Sequence, residues 1–273
     1  MVPRSSDHGR NAAPTLAAPV ARGPRPGSNF IAIASGKGGV GKTWLAVTLS
    51  HALARRRERV LLFDGDLGLA NVDLHLGLIP RYDLGSVISG ERTLNQTVTP
   101  YPAGGFEIIA GRSGSGSLAT LPPGRLQILI EDLLLVGRGY DRVILDLGAG
   151  MGRSNQMLAA VARRIVLVVN DEPTSMADAY AFIKLNVLDN PQVDIRIVVN
   201  ASNSTREGER TYQTLLKACQ SFLKYSPPLL GIVRRDTRVR EAIRNQVPLL
   251  TRSPNADAAL DVEAIADRLH ELG

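Results

Sequence analysis

The glycine-rich stretch Ile31–Thr43, IAIASGKGGVGKT, constrains the fold most, because an apolar run, a glycine loop and a helix start meet there. Its core, Gly36–Thr43, fits the pattern G-x-x-x-x-G-K-[ST], in which backbone N–H groups hold phosphates at a helix N-terminus. The run FIAIA at Phe30–Ala34 is typical of a buried strand, and apolar residues recur at helical spacing after the loop. The segment therefore predicts a nucleoside triphosphate site, with Lys42 at the β- and γ-phosphates and the Thr43 hydroxyl at Mg²⁺.

A second lysine, Lys37, lies inside this loop. With it the segment GKGGVGKT resembles the deviant Walker A motif of the MinD/ParA family of dimeric ATPases. The resemblance implies ATP and ADP as ligands, and it implies that Lys37 reaches across a dimer interface to the partner's phosphates, as trans-acting arginine fingers do. A solvated loop lysine is the alternative. The resemblance further implies nucleotide contacts from the loop residues Gly36, Gly38, Gly39, Val40, Gly41, Lys42, Thr43 and Trp44.

Two carboxylates follow the next apolar run. The segment Arg59–Phe63, RVLLF, predicts a strand, and Asp64 and Asp66 come directly after it, where open α/β sheets place their chemistry. In the family that the loop resembles, this segment lies beside the Mg²⁺ ion and the attacking water. The resemblance thus implies that Asp64 supports the metal shell and that Asp66 orients or activates the water. An Asp-Gly turn is the alternative.

Two later strand ends also carry polar residues. The segment Tyr140–Leu145 predicts a strand with Asp146 at its end, a Walker B arrangement in which the carboxylate holds Mg²⁺, usually through water. Gly148 begins a Gly-Ala-Gly loop that can approach the γ-phosphate and change conformation on hydrolysis. Another predicted strand ends at Asn200, and the resemblance implies that this amide, with its donor and acceptor, contacts the adenine edge. A turn residue is the alternative for Asn200.

Two further segments narrow the resemblance within the family. The stretches DGDLGLANVDLHLGL at 64–78 and EPTSMADAY at 172–180 are similar to the FlhG branch, also called FleN or YlxH, the flagellar-number ATPases. The resemblance implies a Mg²⁺-dependent ATPase of slow turnover that dimerises with ATP, separates after hydrolysis and limits the number or position of flagella. The implied partners are the signal-recognition-type flagellar GTPase and basal-body switch proteins.

Two other functions within the family stay open. One is a ParA-like partition ATPase that binds nonspecific DNA, and the other is a MinD-like septum-positioning ATPase that cycles on a membrane. A basic cluster could contact DNA or anionic lipid, although a solvated helix face accounts for it as well: Arg234, Arg235, Arg238, Arg240 and Arg244. The stretch 251–273 is acidic, unlike a basic amphipathic membrane anchor. The leader lacks the DQAxxLR segment by which some members stimulate the GTPase.

Strands alternating with helices predict an α/β fold with a doubly wound, mostly parallel sheet flanked by helices. We expect one ATPase domain over 29–273 after a disordered leader at 1–28, which is rich in Pro, Ala, Gly and Ser. The stretch Thr93–Ala103 is predicted to be loop, and Gly111–Thr120 a flexible loop without a catalytic role. Thr174 or Ser175 is expected to cap the following helix.

Bulk composition limits the remaining possibilities. A chain of 273 residues that is 44% hydrophobic can bury a full core, and it contains no apolar run approaching 18 residues and no signal-peptide core. We therefore expect a cytoplasmic protein, with recruitment to the cell pole or the inner membrane face left open. The single cysteine, Cys219, excludes an intrachain disulfide and a cysteine-ligated cluster, on which other families with this loop depend. Cys219 itself is predicted to be a small apolar residue of an amphipathic helix.

Overall fold

A central sheet organises the computed structural model, which describes residues 27–111 and 121–272. Within these residues the strands follow the order β3-β4-β2-β5-β1-β6-β7-β8, and neighbours pair in parallel except β3 with β4. The doubly wound, mostly parallel fold class is therefore confirmed. The strands are β1 Phe30–Ala34, β2 Val60–Gly65, β3 Thr99–Tyr101, β4 Phe106–Ile109, β5 Arg142–Leu147, β6 Arg164–Val169, β7 Asp194–Ser202 and β8 Leu229–Arg234.

Helices cover both faces of the sheet, as a parallel sheet requires. In chain order they are α1 Lys42–Arg55, α2 Val72–Leu76, α3 Leu84–Ile88, α4 Pro123–Gly137, α5 Arg153–Ala160, α6 Pro173–Asp189, α7 Thr205–Leu223, α8 Thr237–Arg244, α9 Leu249–Arg252 and α10 Asp257–Glu271. None of the helices described is long and apolar enough to cross a bilayer.

Two apolar layers result from the alternation of side chains along each strand. In β1, Ile31 and Ile33 join the layer beneath α1 and α10, whereas Phe30, Ala32 and Ala34 join the layer beneath α4 to α7. All five side chains are buried, which explains why the strand is an unbroken apolar run in the sequence. The carboxyl ends of the parallel strands meet at one edge of the sheet, and the predicted site residues follow or end these strands.

The strands run further than the sequence predicts. Asp64, Asp146 and Asn200 lie inside β2, β5 and β7 and not after them. Asp64 and Asp146 are direct neighbours in the pairing of β2 with β5, so backbone pairing continues through both acidic positions. Aspartate and asparagine at buried strand ends look like strand terminators in a sequence, which is why the predicted boundaries fell short.

The predicted loop Thr93–Ala103 is wrong in part. A 3₁₀ helix at Leu94–Thr97 begins with a reciprocal cap between Thr93 and Gln96, and the short strand β3 follows it. Pro100 within β3 argued against a strand, but β3 is an edge strand, where a missing N–H group is tolerated.

The predicted helix cap at Thr174 or Ser175 is also wrong. Glu172 is the N-cap residue of α6, without a side-chain cap, and Pro173 is the first helical residue. Proline supplies a helical φ angle there and lacks the N–H group that a cap would satisfy. The predicted leader, apart from its last two residues, and the Gly/Ser loop, apart from Gly111, lie outside the described residues.

Candidate functional site

The loop between β1 and α1 turns its backbone towards an open cavity. Gly39 and Gly41 have φ angles of 81° and 89°, a left-handed conformation that favours glycine. Gly41 is the N-cap residue of α1, and the first turn of that helix contains no acidic residue. The positive end of the α1 dipole and the N–H groups of its first turn therefore face the cavity, which is an arrangement suited to phosphate.

Two adjoining cavities share Gly39, Gly41, Trp44 and Ile243. The first has a volume of about 350 Å³ and is lined by Gly38, Lys42, Thr43, Asp66, Asn71, His75 and Ala149, among others. The second has a volume of about 420 Å³, and its lining includes Val40, Glu172, Asn200, residues 233–236 and part of α8. We call them the phosphate cavity and the base cavity, because the chemistry of their linings fits those two parts of a nucleotide.

Lys42 points into the protein beside Asp146. Its Nζ lies 3.3 Å from Asp146 Oδ1, and both side chains are almost fully buried. Burial raises the pKa of Asp146 above its ordinary value, while the adjacent Lys42 opposes that rise. The buried lysine is thus held at the base of the phosphate cavity by a charge of opposite sign.

Asp64 holds the segment that follows β2. Its carboxylate accepts hydrogen bonds from the backbone N–H groups of Asp66 (3.3 Å), Asn71 (3.0 Å) and Val72 (3.1 Å). Burial, with Asp146 next to it, raises the pKa of Asp64 to about 7 in spite of these bonds. In this arrangement Asp64 shapes the loop, and its predicted place in a metal shell stays a prediction.

Asp66 lines the phosphate cavity and lies close to Gly148. Asp66 is partly exposed and accepts a hydrogen bond from the Leu69 N–H group at 3.0 Å. A Cβ atom at Gly148 would lie only 3.2 Å from Asp66 Oδ1, so glycine keeps room for the carboxylate there. The loop after β5 joins the glycine loop through the Gly150 N–H group, which donates to Ser35 O at 3.0 Å.

Asn200 joins β7 to the glycine loop. Its Nδ2 donates to Val40 O at 2.7 Å, and a Cβ atom at Gly41 would lie 2.3 Å from that nitrogen. The next residue, Ala201, has a φ angle of 55°, and the pairing of β7 with β8 shifts register here. This irregularity directs the amide towards the loop, a feature that the sequence does not reveal.

The remaining glycines of the loop have different surroundings. A Cβ atom at Gly36 would lie 2.4 Å from the backbone carbon of Asp178, so Gly36 permits close packing against α6. At Gly38 the nearest contact would be Ala149 Cβ at 3.9 Å, which leaves the position open to the phosphate cavity. Gly36 is therefore required for packing, and its predicted nucleotide contact stays a prediction.

Lys37 points away from the phosphate cavity and contacts the start of α6. Its Nζ lies 2.5 Å from Glu172 Oε2 and 2.9 Å from Thr174 Oγ1. The hydrogen bond and charge of Lys37 hold the pKa of Glu172 below its ordinary value. The sequence prediction did not assign a role to Glu172, although it belongs to the EPTS stretch that marked the family resemblance.

The acidic residues beside the glycine loop fit a divalent cation. Among the described residues, Asp146 Oδ2 is fully buried and has no hydrogen-bond partner, an arrangement that native proteins rarely leave unsatisfied. Thr43 lines the same cavity, and hard oxygen ligands of this kind suit Mg²⁺. Asp146 and Thr43 are therefore the residues that could hold the ion.

His75 also lines the phosphate cavity, although the sequence prediction gave it no role. Burial and the nearby Lys42 lower the pKa of its imidazole.

The basic cluster predicted at 234–244 is partly neutralised. Arg234 bonds to Asp257 and Asp261, and Arg238 bonds to its neighbour Asp236. Asp236 also caps α8 by accepting from the Arg238 N–H group. The cluster therefore offers less free positive charge than the sequence suggests.

Comparison with known proteins places this site in a family. The chain matches the CobQ/CobB/MinD/ParA nucleotide binding domain over residues 31–249. It is 38% identical over 239 residues to antiactivator FleN of Pseudomonas aeruginosa, covering 88% of this chain and 85% of FleN. It is 28% identical over 243 residues to the flagellum site-determining protein YlxH of Helicobacter pylori, covering 89% and 82% of the two chains.

A solved structure supports the same assignment. The septum site-determining protein MinD complexed with Mg-ADP, from Pyrococcus horikoshii OT3, aligns with a TM-score of 0.76 and 25% identity, covering 90% of this chain and 97% of that one. The family match spans the glycine loop, both acidic strand ends and Asn200. The chain therefore belongs to the CobQ/CobB/MinD/ParA family of nucleotide-binding ATPase domains, in the branch that contains FleN and YlxH.

Proposed function

We propose that this protein is a Mg²⁺-dependent switch ATPase of slow turnover that dimerises with ATP, separates after hydrolysis and regulates the number or position of flagella. The similarity to an antiactivator and to a flagellum site-determining protein supports the flagellar part. The dimerising part rests on the different directions of the two lysines in the glycine loop.

The two lysines of the loop point in opposite directions. Lys42 is buried beside Asp146 at the base of the phosphate cavity, whereas the side chain of Lys37 is 37% exposed and reaches the start of α6. Lys42 already reaches the phosphates from below, so Lys37 can exchange its pair with Glu172 for the phosphates of a nucleotide in a facing subunit. Lys37 is thus the residue assigned to the partner's phosphates.

The other residues act within one subunit. Lys42 and the amides of Gly38, Gly39, Gly41 and Thr43 bind the β- and γ-phosphates, and Asp66 orients the attacking water. Thr43 and Asp146 hold Mg²⁺, directly or through water, and Asp64 supports them by fixing the loop beside them. The bound ion would neutralise charge that develops on the phosphates. Trp44, Val40 and Asn200 contact the nucleoside, Gly148 leaves room for Asp66, and Gly36 keeps the loop against α6.

The proposal extends to the domain organisation of the chain, its location in the cell and its partners. Residues 29–273 act as one ATPase domain behind the leader 1–28, in the cytoplasm or recruited to the cell pole or the inner membrane face. The proposed partners are the signal-recognition-type flagellar GTPase and basal-body switch proteins. The DNA-binding alternative has less support, because Arg234 and Arg238 already pair with carboxylates of this chain. ATP-dependent DNA binding that weakens steeply with salt would favour that alternative instead.

The test is the molar mass in solution, measured by light scattering with Mg·ATP, with Mg·ADP and without nucleotide. We expect a dimer only with ATP, a lasting dimer for Asp66→Ala because hydrolysis is blocked, and a monomer for Lys37→Ala. Lys217→Ala, which removes an exposed lysine of α7, is the matched control and should behave as the wild type. A wild-type monomer under all three conditions, or a dimer indifferent to Lys37→Ala, contradicts the proposal.

A further inference from the structure

The loop that follows β5 brings three carbonyl groups together at one side chain. Asn155, in the first turn of α5, points its Nδ2 back at the loop, 2.8 Å from Gly148 O, 3.3 Å from Ala149 O and 3.2 Å from Gly150 O. Three carbonyl oxygens facing one point repel each other unless a donor lies between them. The amide of Asn155 supplies that donor.

The direction of the carbonyls fixes the direction of the N–H groups. In a trans peptide the C=O of one residue and the N–H of the next point in opposite directions. Because Gly148 O faces Asn155, the Ala149 N–H group points away from Asn155, and Ala149 lines the phosphate cavity together with Lys42 and Thr43. The Gly150 N–H group obeys the same rule, since it points away from Ala149 O and donates to Ser35 O.

We propose that Asn155 is a positioning residue whose amide holds these three carbonyls, so that the Ala149 N–H group is turned towards the γ-phosphate of bound ATP. This inference rests on the proposed ATPase function. Asparagine suits the task because its NH₂ group carries two hydrogens, whereas aspartate of the same shape offers none. An ordinary helix cap does not explain the residue, since Gly152 is the N-cap of α5 and its end has no side-chain cap.

The test compares Asn155→Asp and Asn155→Ala with the wild type. The matched control is Gln156→Glu, which makes the same amide-to-carboxylate change at the adjacent, exposed position. The readouts are kcat, KM and the dissociation constants of ADP and of the non-hydrolysable analogue AMPPNP. The fluorescence of Trp44 measures the binding of both nucleotides. Trp44 is the sole tryptophan of the chain and lines both cavities.

We expect Asn155→Asp to lower kcat by at least about tenfold, as the loss of a transition-state donor does. The preference for AMPPNP over ADP should fall by about tenfold as well, because only the analogue has the γ-phosphate that Ala149 faces. ADP affinity should change by less than about threefold, and Asn155→Ala should give a smaller loss than Asn155→Asp, since it adds no repulsive charge. Gln156→Glu should match the wild type.

Equal kcat values and equal AMPPNP preference in the wild type and both variants would overturn the inference. A parallel loss of ADP and AMPPNP affinity would also overturn it, because it would indicate a general structural role. If Asn155→Asp does not fold, Asn155→Ala decides the question with the same readouts. A wild type that hydrolyses no ATP contradicts the proposed function, while the binding preference still tests Asn155 separately.

Discussion

At the scale of single residues, a side chain of the site can use one polar atom in a hydrogen bond within the protein and keep its other polar atom for a ligand. Asn200 is the clearest case, because its Nδ2 is committed to Val40 O at 2.7 Å. The amide cannot be reversed, since its oxygen would then face the carbonyl oxygen of Val40. Its Oδ1 is therefore left as an acceptor at the base cavity, which Asn200 lines.

This fixed orientation predicts selectivity for adenine. The 6-amino group of adenine can donate to Asn200 Oδ1, whereas the 6-oxo group of guanine would face it with another oxygen. We expect the dissociation constant of ATP to be at least about tenfold lower than that of GTP, a difference of about 1.4 kcal/mol. Trp44 fluorescence titrations with the two nucleotides measure it.

Asn200→Ala is the informative variant for this selectivity. It removes both the acceptor and the bond to Val40 O, so ATP affinity should fall and the ratio between ATP and GTP should approach one. Ser202→Ala, a small polar-to-apolar change two residues further along β7, serves as control and should keep the ratio. Equal affinities for ATP and GTP in the wild type would rule out this role of Asn200.

At the scale of elements, the sequence predicted what local patterns encode. The glycine loop and the apolar strands β1, β2 and β5 depend on residues a few positions apart, and their identities were foreseen correctly. The edge strand β3 was missed because it is three residues long and contains a proline. The contact of Lys37 with Glu172 spans 135 positions, and no local pattern reports a contact at that distance.

Other site features were unpredictable for a different reason. Asn155 stands in an ordinary polar stretch, GRSNQ, and only the backbone path of the preceding loop shows why its amide matters. The strand bulge at Ala201 likewise comes from the pairing of β7 with β8. Chain direction and hydrogen-bond geometry decide these features, and residue types alone do not encode them.

The attachment of α10 to α1 yields a prediction at the same scale. Arg56, at the end of α1, donates to Glu263 and Asp267 of α10, to the backbone oxygen of Glu263 and to Ala52 O. Its side chain is 18% exposed. The neighbouring Arg55 is 49% exposed and makes one ion pair, with Glu263. Partly buried, multiply bonded arginines stabilise far more than exposed ones.

We expect Arg56→Met to lower the free energy of unfolding by about 2 kcal/mol and Arg55→Met by less than about 1 kcal/mol. Methionine keeps most of the aliphatic stem, so the comparison isolates the guanidinium bonds. Urea denaturation followed by circular dichroism measures both values. Equal losses for the two variants would show that the network at Arg56 adds nothing to a surface ion pair.

At the scale of the whole molecule, one sheet separates two apolar layers that each contain a single natural probe. Trp44 lies in the layer beneath α1 and α10, and Cys219 lies in the layer beneath α4 to α7. Each is the only residue of its type in the chain. Burial raises the pKa of the Cys219 thiol to about 11, so the native thiol is both covered and protonated.

This arrangement lets one chain test whether 29–273 behaves as one cooperative domain. Both layers pack against the same strands, so loss of either exposes apolar side chains of the central sheet and removes the support of the other. We therefore expect the urea transitions of Trp44 fluorescence and of Cys219 labelling by a thiol reagent to coincide within error. Without denaturant, labelling of Cys219 at pH 8 should be slow, because it requires opening of the structure.

The same two urea transitions can be measured with ADP bound. Saturating ADP binds only the folded site, so at a hundredfold excess over its dissociation constant it should raise the free energy of unfolding by about 2.7 kcal/mol. Both urea midpoints should therefore shift upward by the same amount. Cys219→Ala should show the same Trp44 transition, which controls for effects of the label. If Cys219 became reactive at lower urea while Trp44 kept its native signal, the layer beneath α4 to α7 would unfold separately. Residues 29–273 would then contain two cooperative units, with ADP stabilising chiefly the layer that contains α1.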